Sequence, residues 1–183
     1  MTSFYQEYFQ ELDSKVNSAN IHELDRCCNL VSGIGKNNKK IIIVGNGGSA
    51  TIASHVSVDL TKLANIRAIN FNEADLITCF ANDYGYENWV ARGLEAYADK
   101  DDLVVLISSS GRSPNIINGA FRAKELELNT ITLSGFDIDN PLKKLGDINL
   151  WVDSKIYNIV ELTHTVWLLT IIDKVIHDKK GSK

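Results

Sequence analysis

Two apolar runs restrict the folds open to this chain more than any other feature. Residues 41–44 (IIIV) and 103–108 (LVVLIS) show no alternation, and each runs into a turn of small residues, GNGGS at 45–49 and SSGRSP at 109–114. A helical pattern follows each turn. A strand without alternation is buried on both faces, which is the mark of a parallel sheet covered by helices on both sides. Further strands are read at 66–71 (IRAINF), 130–135 (TITLSG) and 148–153 (INLWVD). Helical spacing is read at 49–63, 73–80, 87–98 and 157–178, with a short helix near 140–145. The expected architecture is therefore an α/β three-layer sandwich with a five-stranded parallel sheet, flavodoxin-like in kind. Helices at 3–17 and 21–34 stand outside the alternation as an N-terminal pair.

With 183 residues, only two prolines and no linker or repeat, the chain reads as a single domain over 1–183. Residues 1–36 are assigned to oligomerisation helices and 37–183 to the α/β core with its long C-terminal helix. That last helix carries Ile159, Val160, Leu162, Val166, Trp167, Leu168, Leu169, Ile171, Ile172, Val175 and Ile176. A helix apolar nearly all round is buried nearly all round, so a second copy of the chain is expected against it.

A formal net charge of −4 offers no basic footprint for nucleic acid, and an anionic ligand has to be held locally by loops. Three cysteines without C-x-x-C spacing read as small buried hydrophobes. No apolar run reaches the roughly 18 residues of a membrane span, and the N-terminus lacks the basic start and apolar stretch of a signal peptide. A cytoplasmic protein is expected.

The glycine turn permits three ligands. No Gly-Lys-Ser/Thr follows it, which removes the nucleotide triphosphate loop. Gly45-x-Gly47-x-x-Ala50 does match the dinucleotide fingerprint, with Glu73 near the end of the second strand as the ribose acceptor. The second turn argues otherwise. Ser108, Ser109, Ser110 and Ser113 place four hydroxyls at another helix start, where unpaired backbone N–H groups and the positive end of the helix dipole favour an anion. One serine would serve as a cap, and four point to a phosphate monoester. Pro114 suits the first helical turn, where no N–H is needed. Asn82 and Asp83, read in a turn, add groups suited to hydroxyls. The set reads as a sugar-phosphate site without a nucleotide cofactor.

GNGGSA with His55 following, ANDYGY at 81–86 and ISSSGRSPNI at 107–116 together resemble the phosphoheptose isomerases, within the sugar isomerase (SIS) domain superfamily. The resemblance extends over about residues 3–178. It implies the SIS fold and conversion of sedoheptulose 7-phosphate to D-glycero-D-manno-heptose 7-phosphate, toward lipopolysaccharide or capsule heptose. It also implies a homotetramer with active sites between subunits, and zinc in several members. Carried over, Asn46, Gly47, Gly48 and Ser49 line the sugar, Ser108, Ser109, Ser110 and Ser113 hold the phosphate, and Asn82 and Asp83 contact the substrate.

Aldose–ketose isomerisation needs a base for a carbon-bound proton and stabilisation of an enediolate oxygen. His55 and Asp59 are four apart on one helix, and Glu161 and His164 three apart on another, so each pair is expected to share a face. Asp59, Glu161 and His164 are the candidate catalytic groups. His55, Asp59 and Glu161 are the candidate zinc ligands, and proton transfer without a metal is equally open to the set. Asp59 stands where the family has glutamate, Glu161 where it has glutamine, and Leu169 where it has a histidine. These departures keep a second reading open, a non-catalytic SIS-type phosphosugar-binding or protein-adaptor protein. An isomerase for another phosphosugar and a nicotinamide enzyme are the remaining alternatives.

Overall fold

The computed structural model describes residues 3–181. Five parallel strands form one sheet: β1 (Lys40–Gly45), β2 (Arg67–Asn70), β3 (Leu103–Ser108), β4 (Asn129–Ser134) and β5 (Ile148–Trp151). Their order is β2-β1-β3-β4-β5. β3 lies at the centre and is buried along its whole length, as its unbroken apolar run requires. Its register sets Val104 beside Ile42 and Ile107 beside Gly45, so β1 and β3 end level with one another.

The helices are α1 (Phe4–Asn17), α2 (Ile21–Lys36), α3 (Gly48–Lys62), α4 (Ala74–Tyr84), α5 (Trp89–Tyr97), α6 (Pro114–Glu125) and α7 (Tyr157–Gly181). Successive strand residues face opposite sides, so the sheet builds two cores. Ile41 and Ile43 pack with Ile52 and Val56 of α3, Cys27 and Val31 of α2, and Trp167 and Ile171 of α7. Ile42 and Val44 pack on the other side with Val90 and Leu94 of α5 and Ile116 and Ala120 of α6. The chain leaves β1 for β2 on one side and then returns to start β3 on the other. Consequently α3 and α6 cover opposite faces, and a crevice opens between the carboxyl ends of β1 and β3. That crevice is where open parallel sheets bind ligands.

The N-terminal helix pair lies against α7. Ser3 and Gln6 form a reciprocal capping box that starts α1, and Asn20 caps α2 by accepting from the His22 N–H. The Trp167 indole N–H donates to the Val16 carbonyl at 2.9 Å, which joins α1 to α7.

Three expectations need correction. Asn82 and Asp83 are not in a turn, because α4 continues to Tyr84 and ends at Gly85, whose φ of 84° stops the helix. The short helix near 140–145 is a single 3-10 turn, Leu142–Lys144. Cys27 and Cys28 are buried but Cys79 is exposed. Within one chain Leu162 and Val166 of α7 stay 42% and 39% exposed, as expected of a helix that one copy of the chain cannot cover alone.

Candidate active site

The glycine turn is shaped by two separate demands. Gly47 has φ 55° and ψ −124°, a backbone state that L side chains rarely adopt, and it lets the chain turn from β1 into α3 within three residues. Gly48 meets a different demand. A Cβ there would collide with the Glu161 carboxylate, with Oε1 only 2.7 Å away, so α7 is seated against the start of α3.

The serine turn closes on itself. Ser108 Oγ and Ser113 Oγ lie 3.0 Å apart, the Gly111 N–H donates to the Ser108 carbonyl at 2.9 Å, and the Arg112 N–H donates to Ser110 Oγ at 3.2 Å. Gly111 takes φ 64° against the Asn140 side chain, where no Cβ would fit. Pro114 opens α6, and Ser113 at the N-cap spends no side-chain hydrogen bond on the helix. Ser109 is buried, and its Oγ has no hydrogen-bond partner among the described residues. A buried hydroxyl left unpaired is costly in a fold unless something else meets it. At the α6 start Pro114 has no N–H and those of Ile116 and Ile117 donate to the Ser113 carbonyl, so the hydroxyls around Ser109 and the Asn115 N–H are the donors left there for an anion.

The two turns form one cleft of about 280 Å³. Asn46, Gly47, Gly48 and Ser49 line one wall, and Ser108, Ser109, Ser110 and Ser113 line the other. Glu161 and Tyr157 of α7 close the remaining side. Burial raises the Glu161 pKa above the ordinary glutamate value, and the nearby Ser109 hydroxyl pulls slightly the other way. Tyr157 escaped the sequence reading because no local pattern marks it. It reaches the cleft only because α7 returns along α3.

The remaining candidates lie elsewhere. His164 is fully buried, with Nε2 3.1 Å from the Ser134 carbonyl and Nδ1 without a partner. Three residues along a helix turn the side chain by about 300°, so His164 lies some 60° round from Glu161, toward the sheet. Burial depresses its pKa to about 4, which leaves a neutral ring out of reach of the cleft. His55 Nε2 and Asp59 Oδ2 do pair, at 3.3 Å, but on α3 outside the cleft lining. Among the described residues no three His, Cys, Asp or Glu side chains gather as a metal site, so His55, Asp59 and Glu161 do not form a zinc set within one chain. Asn82 and Asp83 are exposed and bond to each other at 2.9 Å, also outside the cleft lining.

Residues 4–135 match the SIS domain family model. A phosphoheptose isomerase of Helicobacter pylori is 37% identical over 144 residues, which is 75% of this chain and 74% of the relative. A phosphoheptose isomerase of Fusobacterium nucleatum is 34% identical over 158 residues, covering 84% and 81%. The solved structure of a phosphoheptose isomerase from Francisella tularensis superimposes with a TM-score of 0.86 at 25% identity, covering 96% of this chain and 98% of that one.

Proposed function

Since the chain belongs to the SIS domain family, and within it to the phosphoheptose isomerases, we propose that its cleft interconverts sedoheptulose 7-phosphate and D-glycero-D-manno-heptose 7-phosphate. One observation carries this reading: a hydroxyl-lined turn and a partly buried carboxylate share a single cleft. The phosphate is assigned to Ser108, Ser109, Ser110, Ser113 and the start of α6. The glycine turn then lines the sugar. Glu161 is assigned the proton transfer: it takes a proton from C1, the electron pair moves onto O2 as an enediolate, and the proton returns to C2. The C1 hydroxyl proton passes to O2, which leaves the aldehyde at C1. At the start of α3 the Ser49, Ala50 and Thr51 N–H groups already donate to the Asn46 and Gly47 carbonyls, so the Gly48 N–H is the donor assigned to stabilise the enediolate oxygen. The family indicates no nucleotide cofactor, so the dinucleotide match of the glycine turn is set aside.

The reading includes a homotetramer. Phe4, Tyr5 and Phe9 on α1 are 72%, 70% and 63% exposed, and with Leu162 and Val166 they leave an apolar surface that a second copy would cover. A groove lined by Tyr8, Ile52, Leu162 and Thr165 runs along the far side of Glu161, so a docked copy would reach the edge of the cleft. His55 and Asp59, and Asn82 and Asp83, are assigned to that shared edge. Zinc would draw its donors from the His55–Asp59 pair and a neighbouring copy. Phosphorylated sugars are cytoplasmic metabolites, and the reaction is placed there.

Incubation with sedoheptulose 7-phosphate in heavy water tests the reading. Deuterium at C2 of an aldose product supports it. Tight binding without exchange would replace it with a phosphosugar-binding protein.

A further inference from the structure

Asn46, in the glycine turn, and Asn115, the second residue of α6, exchange amide hydrogen bonds in both directions. Asn46 Nδ2 donates to Asn115 Oδ1 at 3.0 Å, and Asn115 Nδ2 donates to Asn46 Oδ1 at 2.9 Å. Asn115 is 1% exposed, and such a buried amide is tolerated only when it is paired. The Tyr86 hydroxyl donates to the same Asn46 Oδ1 at 3.2 Å. One turn further along α6, Asn118 Nδ2 holds the loop that presents Tyr86, donating to the Glu87 carbonyl at 2.9 Å and to Asn88 Oδ1 at 3.2 Å.

The reciprocal pair and the Tyr86 hydroxyl hold the Asn46 amide plane in place. Both lone pairs of Oδ1 are taken, and one of the two Nδ2 hydrogens is used. The other Nδ2 hydrogen has no partner among the described residues, and Asn46 lines the cleft. With the amides in this orientation, one Asn46 N–H is held in place in the cleft lining for an oxygen of the ligand.

We propose that Asn115 is a positioning residue that acts through Asn46, tying the sugar wall of the cleft to the helix that receives the phosphate. The proposal rests on the isomerase reading for its kinetic consequence. Ser113 and Asn115 are two residues apart on the same helix start, so the phosphate anchor and the Asn46 donor are set at a fixed separation. Binding at the phosphate end is then converted into alignment at the reacting carbons, as catalysis by orientation requires.

The test is a double-mutant cycle on the full chain with Asn115→Leu and Asn46→Ala. Asn115→Leu is expected to lower kcat by about 10–100-fold, the scale of a small misplacement of a reacting group. KM and competition by inorganic phosphate should stay within about threefold, because the cradle is untouched. In the Asn46→Ala background Asn115→Leu should cost nothing further in kcat/KM. An equal loss in both backgrounds, or a loss confined to KM and phosphate affinity, overturns the proposal. If Asn115→Leu does not fold, Asn115→Asp keeps the volume but removes the donor, and the same cycle is read with it. If the unmodified protein shows no isomerisation, the functional reading has failed, and the crystal structure of the Asn115 variant decides the positioning role. An Asn46 amide turned away from the cleft supports that role, and an unmoved one refutes it.

Discussion

The Glu161 carboxylate occupies the space where a side chain on Gly48 would begin, with its Cδ 2.6 Å from that point. The colliding atoms are the far end of a flexible side chain, so Gly48→Ala can be absorbed by moving Glu161. Alanine is also the better helix former by up to about 1 kcal/mol. The variant should therefore melt within a few degrees of the original while kcat falls by about 10–100-fold through the displaced carboxylate. Thermal unfolding and turnover measured on the same preparation check this. A parallel loss of both would show that Gly48 serves the fold and not the placement of Glu161.

Burial raises the Glu161 pKa, with the Ser109 hydroxyl opposing. A base must be ionised to act, so kcat/KM should fall as pH drops through that pKa, and the acid limb should lie above the ordinary glutamate range. Glu161→Gln should remove both the activity and the limb. A pH profile of deuterium exchange gives the answer, and an acid limb that survives the substitution would assign the titration to another group.

Ser109 offers a cleaner separation of fold from ligand. Its Oγ approaches the Glu161 carboxylate closely enough to oppose the rise in that pKa but makes no well-formed hydrogen bond among the described residues, so Ser109→Ala removes a buried polar group that contributes little to the fold. Stability should hold or rise slightly. A hydrogen bond to a charged group contributes about 1.5–3 kcal/mol, so affinity for the phosphorylated substrate should fall by about 10–100-fold. Calorimetric titration with substrate and with inorganic phosphate measures it. Unchanged affinity for both would remove Ser109 from the phosphate cradle.

The parts of the molecule legible in the sequence are those whose chemistry is local. Ile41 to Val44 and Leu103 to Ile107 read as strands because burial on both faces forces an unbroken apolar run, and the two turns read as ligand loops because glycine and serine repeat within a few residues. Other features depend on contacts far along the chain. Glu161 reaches the cleft because α7 folds back onto α3, and the same geometry turns His164 into the core three residues later. Asn82 and Asp83 read as a turn from their residue types, but the helix carries on until Gly85 ends it. Asn115 lies inside the recognised SPN segment, yet its bond to Asn46 spans 69 residues and no spacing reveals it.

His164 ties stability to pH in a direction that can be worked out. Its native pKa is depressed to about 4, against roughly 6.5 for an unfolded histidine. Between these values the unfolded chain takes up a proton that the native ring refuses, so acid favours unfolding. The contribution is fully present above pH 6.5, is lost progressively as pH falls toward 4, and changes no further below that. At about 1.4 kcal/mol per pH unit the loss amounts to about 3 kcal/mol. Carboxylates also titrate over the lower part of this window, so the informative quantity is the difference between two proteins. His164→Gln, whose longer amide reaches the Nε2 position and keeps a donor for the Ser134 carbonyl, should lack this component of the acid destabilisation. Urea unfolding at pH 7, 6, 5 and 4 measures it, and parallel curves for the two proteins would show that His164 is not held neutral in the core.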